Sequence, residues 1–89
     1  MARVIFTSNL QRHVECPTQE ASGTTVRQAL ESVFANAERL RTYILDDQDQ
    51  LRHHVHIFVD GEMIRDRVTL SDPIKDSSEL YVMQALSGG

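Results

Sequence analysis

Apolar and polar positions divide the chain into short stretches of two different periods. Arg3-Val4-Ile5-Phe6-Thr7-Ser8 is β-branched and aromatic, with apolar side chains at consecutive positions, the pattern of a strand occupied on both faces. Residues 9–12 read as a turn, and His13-Val14-Glu15-Cys16 as an antiparallel return strand stopped by Pro17. Residues 18–23 are polar and read as a loop. Thr25-Val26-Arg27-Gln28 has the form of a capping box, and Val26, Ala29, Leu30, Val33, Phe34 and Ala37 follow at helical spacing. The pattern predicts a helix of about ten to twelve residues, ending at Asn36 or just past it. Leu40, Tyr43, Ile44 and Leu45 are apolar without a clean period, and residues 46–50 form a solvated turn. A short helical turn and an irregular excursion are expected over residues 38–54.

Period two returns at Val55-His56-Ile57-Phe58-Val59, where Val55, Ile57 and Val59 share one face and His56 and Phe58 the other. Asp60-Gly61 is a strong two-residue hairpin signal, with Glu62-Met63-Ile64 as the returning strand. Leu70 or Ile74 should anchor the loop that follows, and residues 76–78 turn into a last strand, Glu79-Leu80-Tyr81-Val82-Met83-Gln84-Ala85. The order β-β-α-β-β-β places one helix on one face of a mixed sheet of four to five strands, an α+β fold. The first and last strands carry the heaviest apolar load. They can pair in parallel at the centre, because a helix and a hairpin separate them in sequence. Residues 1–85 are therefore expected to form one domain, and Leu86-Ser87-Gly88-Gly89 a flexible tail. Two terminal glycines carry no Cβ and can thread a narrow slot, with the Gly89 α-carboxylate at their tip.

Composition removes several function classes. Eighty-nine residues support one modest core. A net charge of -4, with the arginines dispersed among acids, argues against nucleic acid. No apolar run approaches a membrane span, and residues 1–6 lack the pattern of a signal peptide, so the chain is expected in the cytoplasm, away from membranes. A single cysteine, Cys16, excludes an internal disulfide and a cysteine-ligated iron-sulfur cluster. His13 falls on the opposite strand face from Cys16, which leaves that thiol without a base. His53, His54 and His56 lack the further converging ligands that zinc requires, so no metal is expected. Phe58, Tyr81 and Met83 fall on the sheet face away from the helix, where they would make an exposed apolar patch for a partner.

The strand order is that of the ubiquitin-like β-grasp. Ser22-Gly23-Thr24-Thr25-Val26-Arg27-Gln28-Ala29-Leu30 resembles the helix start of the MoaD/ThiS family of sulfur carriers. Val55-His56-Ile57-Phe58-Val59-Asp60-Gly61 is similar to its central strand and turn, and residues 80–89 resemble its last strand and Gly-Gly tail. Gln84 stands where relatives often carry proline, and the length of residues 38–54 is similar to that in carriers serving cysteine biosynthesis. The resemblance implies that an E1-like adenylyltransferase of the MoeB/ThiF type, using ATP and Mg²⁺, adenylates Gly89. Sulfide or a persulfide donor enzyme would displace AMP, and the thiocarboxylate would pass sulfur to an acceptor synthase. The chain itself would hold no cofactor, supply no catalytic residue and be a monomer when free. A lysine amine attacking the same carboxyl would instead make it a protein modifier, and a third reading is a non-covalent binding module with an incidental tail.

Overall fold

A computed structural model describes residues 1–6 and 18–84. Five strands form one sheet: β1 (Ala2–Phe6), β2 (Gln19–Ala21), β3 (Val55–Val59), β4 (Glu62–Met63) and β5 (Glu79–Gln84). Their spatial order is β2-β1-β5-β3-β4. β5 sits in the middle, parallel to β1 and antiparallel to β3. Helices α1 (Val26–Phe34) and α2 (Glu38–Ile44) lie between β2 and β3 in sequence. This is the β-grasp architecture. Val4, Phe6, Ile57, Leu80 and Val82 on the sheet meet Val26, Leu30, Val33 and Phe34 of α1 in one buried cluster.

The start of α1 follows from local chemistry. Thr25 Oγ1 accepts the Gln28 amide at 3.2 Å, as the capping box requires, while Gln28 Oε1 accepts the Thr24 amide at 2.7 Å. Gly23 holds φ +129°, and a Cβ there would lie 2.4 Å from that of Gln28, so only glycine lets the chain turn into the cap. The next helix donors, Val26 N and Arg27 N, bond to the carbonyls of Asp72 and Leu70, so the loop before β5 closes the helix N-terminus. Leu70 and Ile74 are both buried anchors of that loop. Asp60 and Gly61 take φ of 51° and 90°, the paired positive values of a tight hairpin turn.

Three expectations need correction. Gln19–Ala21, read as part of a loop, is β2, antiparallel to β1. Only Ala21 of this edge strand is buried, so three residues carry no visible alternation. The expected strand at His13–Cys16 lies outside the described residues. The helix predicted to run to about Asn36 ends at Phe34, making nine residues. Ala37, still packed against the core, is the N-cap of a second helix, α2, of seven residues, where one packed helix and a short helical turn were expected. In α2, Leu40 and Ile44 are the buried pair at i, i+4, and exposed Tyr43 between them masks that period. Leu45 and Leu51, paired across a bridge, bring the rest of the excursion into the core. Arginines tie it down: Arg27 Nη2 donates to Asp49 O at 2.6 Å, and Arg41 pairs with both Glu31 and Asp49 while its guanidinium stacks 5.1 Å from the Phe34 ring centroid.

The loop between β4 and β5 is built on Asp66. Its carboxylate accepts the Ser71 and Thr69 hydroxyls and the amides of Val68, Thr69 and Ser71. These donors, the Ser71 hydroxyl first, hold Asp66 far below the usual carboxylate value of 3.8. The folded pKa lies below the unfolded one, so the stabilisation is complete above the unfolded value and is lost as pH falls through the folded one. Urea midpoints should therefore hold level from pH 7 to about 5 and decline below about 4. Asp66→Ala should lower the neutral-pH midpoint and flatten that acid decline. Parallel profiles for the two proteins down to pH 2.5 would remove Asp66 from the account.

Candidate functional site

The site is built on β5. As the central strand it has neighbours on both sides, and its alternation is strict: Leu80 and Val82 face the helices and are fully buried, while Tyr81 and Met83 face away. Register then decides what surrounds them. Tyr81 lies opposite Ile5 on β1 and Phe58 on β3, and Met83 lies opposite His56. Phe58 in turn lies opposite Met63. Directly opposed residues share a face, so Ile5, Phe58, Met63, Tyr81 and Met83 form one apolar patch on the open side of the sheet. Tyr81 is 40% exposed, Met83 37% and Met63 50%. Large apolar side chains are thus gathered on this face and left partly in water.

The patch has two distinct ends. At the start of β5, Arg3 and Glu79 form an exposed ion pair at 3.5 Å. Asp60 there accepts the Glu79 amide and the Ser78 hydroxyl, bonds that lower its pKa and fix the strand start against the hairpin turn. At the other end, Gln84 lies opposite Val55, and beyond it the chain leads toward the tail. His56 faces the patch near this end, and its Nδ1 is buried with no hydrogen-bond partner among the described residues. Arg67 Nη2 donates to the carbonyls of Arg52 and Val55 at 2.7 and 2.8 Å, which places its guanidinium at this end of the molecule, while the Arg52 side chain donates to the Thr42 carbonyl of α2 at 2.9 Å.

The three residues expected on the open face, Phe58, Tyr81 and Met83, are thus brought together, and all three border on one another through the register. Sequence reading missed Ile5 and Met63. Both were within reach: Asp60-Gly61 fixes Phe58 against Met63, and parallel pairing of the end strands puts Ile5 beside Tyr81. Leu86, Ser87, Gly88 and Gly89 lie outside the described residues, as do His13 and Cys16. His53 and His54 meet edge to face with ring centroids 5.8 Å apart. Among the described residues, no three His, Cys, Asp or Glu side chains converge as metal ligands. No helix among them is long and apolar enough to cross a membrane.

A strand that leads from the middle of a β-grasp sheet toward a Gly-Gly terminus, beside an open apolar face, can be compared with known proteins. The ThiS family profile matches residues 4–89. The chain belongs to the ThiS family. This is the family its helix start, central strand and tail resemble. No curated protein sequence matches it significantly. Among solved structures, it is similar to the Amycolatopsis orientalis BexX/CysO complex, with a TM-score of 0.83 at 22% identity over 100% of each chain. It is similar to Mycobacterium tuberculosis CysO, with a TM-score of 0.80 at 22% identity over 97% of this chain and 100% of the other. Small archaeal modifier protein 1 of Methanosarcina acetivorans gives 0.77 at 27% identity, covering 99% and 95%.

Proposed function

We propose that this ThiS-family chain is a sulfur carrier that works through its C-terminal carboxylate. The observation that carries the reading is the family match through residue 89, which takes in the Gly-Gly end. A carboxylate is a poor electrophile until it is joined to a good leaving group. An E1-like adenylyltransferase of the MoeB/ThiF type would let Gly89 attack the α-phosphorus of Mg²⁺-bound ATP, releasing pyrophosphate. Sulfide would then attack the acyl carbon and expel AMP, leaving a Gly89 thiocarboxylate for an acceptor synthase. Every catalytic group in this sequence belongs to the partners. The chain supplies the handle, residues 86–89, and a surface, the patch of Phe58, Tyr81 and Met83 with Ile5 and Met63, by which a partner grips it.

Intact-mass spectrometry after incubation with a cognate adenylyltransferase, ATP and a sulfur source should show a gain of ~16 Da, one oxygen exchanged for sulfur, confined to the C-terminal peptide. A carboxylate left unmodified under those conditions sinks the reading. The likeness at 27% identity to a small archaeal modifier protein favours a second one, in which Gly89 is joined to lysines of other proteins. That reading predicts Gly-Gly remnants on lysines in digests of the source cells. Their absence across growth and stress conditions would leave the carrier reading alone.

A further inference from the structure

An activated acyl group does not distinguish sulfur from nitrogen by itself. Any amine within reach can attack the acyl carbon. The C–O bond to AMP then breaks, AMP leaves with its electron pair, the nitrogen gives a proton to solvent, and an amide is formed with no change in oxidation state. A carrier's own amines are the nearest threat, since a tethered nucleophile acts at very high effective concentration. Lysine is such a nucleophile and arginine is not, because the guanidinium stays protonated throughout the biological range.

The chain contains eight arginines and one lysine, Lys75. Each of the four ion pairs among the described residues uses arginine. Placement sharpens the contrast. Lys75 is exposed and lies one turn before β5, its carbonyl accepting the Ser78 amide at 3.0 Å. β1 runs parallel to β5 with Arg3 beside Glu79, so an α-amino group carried by Met1 would lie at this same end. The opposite end, where Gln84 meets Val55, holds Arg52 and Arg67 and the exposed His53. It offers positive charge but no alkyl amine.

The separation is large enough to matter. The five steps from Glu79 to Gln84 cover ~17 Å, with the turn to Lys75 beyond that. The five residues after Gln84 reach at most ~18 Å if fully extended, and reversing direction consumes about two of them. Gly89 therefore falls short of Lys75 of its own chain.

We infer that the fold segregates its amines to the end of the sheet away from the β5 exit, and that this arrangement keeps an activated Gly89 from acylating its own chain and leaves it for nucleophiles brought by its partners. The inference rests on the reading of Gly89 as the activated group. Its test does not need an activating enzyme. The full chain can be prepared with a Gly89 2-mercaptoethanesulfonate thioester as wild type, His53→Lys and Ser77→Lys. Both positions are exposed, and each variant adds one amine and one charge. At pH 8 the attack breaks the C–S bond, expels the thiolate and leaves an internal amide ~18 Da lighter than the hydrolysed chain.

His53→Lys should form that amide about tenfold faster than wild type or Ser77→Lys, through proximity. In strong denaturant the three should converge, which ties the difference to the fold instead of to lysine count. Equal rates in native buffer would overturn the inference, and so would a Lys75–Gly89 amide forming within wild-type monomers as fast as the His53→Lys product. If the thioester results stand while an adenylyltransferase leaves the natural carboxylate untouched, only the reading of the function has failed.

Discussion

Removal of Gly89 should abolish adenylation and sulfur loading while leaving the thermal melt where it was. The two effects separate because they reside in different parts of the molecule. The cooperative unit is the cluster beneath β1, β3 and β5, whose last contributor among the described residues is Val82. Terminal residues commonly add little to a core, and the loss of Gly89 should change stability by less than about 0.5 kcal/mol. In the proposed function the chemistry depends wholly on the position of one carboxyl carbon, and shortening the tail would withdraw that carbon by about 3.5 Å from wherever the enzyme holds ATP. A displacement of 1 Å at a reacting centre is already enough to cost about a hundredfold. Gly88→Val tests the same point without shortening the chain. Its isopropyl group restricts the backbone and widens a tail that must enter a narrow channel. Pyrophosphate release should fall to background for both variants, with melts superimposed on wild type. Adenylation of Gly88→Val at the wild-type rate would mean that the tail is not threaded.

Much of this architecture is legible before any coordinates, and the reasons differ by element. The Asp60-Gly61 turn, the Thr25 cap and the alternation of β5 are each specified by a few adjacent residues, so local physics suffices. β2 is different. Gln19–Ala21 is a strand because β1 offers it an edge, and no periodicity inside three residues could announce that. α2 is different again: Leu40 and Ile44 define its buried side, but Leu45 follows directly and belongs to the bridge with Leu51, so three buried residues of two elements read as one irregular run. The site shows the same division. Phe58, Tyr81 and Met83 follow from period two alone. Ile5 and Met63 join them only through strand pairing, which is a tertiary fact. The tail is legible by composition and by family likeness, and the role proposed for it is chemical.

Replacing a patch residue by aspartate should leave the domain folded and cripple its recognition. Tyr81 and Leu80 are neighbours in sequence on opposite faces of one strand, which makes them a matched pair. Leu80 is fully buried in the core, so Leu80→Ala should destabilise by about 2–5 kcal/mol through lost burial and the cavity left behind. Tyr81, 40% exposed, projects from the open face, so Tyr81→Asp should alter stability by no more than about 1 kcal/mol, the span of strand preference. Its effect falls on association. A buried carboxylate in an apolar contact has no partner charge, and aromatic residues at the centre of such contacts commonly supply about 2–4 kcal/mol each. The KM of the activating enzyme for Tyr81→Asp should therefore rise at least about 30-fold, with kcat little changed because the carboxylate is intact. Met83→Asp should behave alike. The chain beyond Gln84 extends at most ~18 Å, so the surface that holds the carrier must lie near the end of β5, where Met83 projects. Activation of both variants at the wild-type KM would mean that the enzyme grips another face. Their unfolding in the manner of Leu80→Ala would show that the open face belongs to the core.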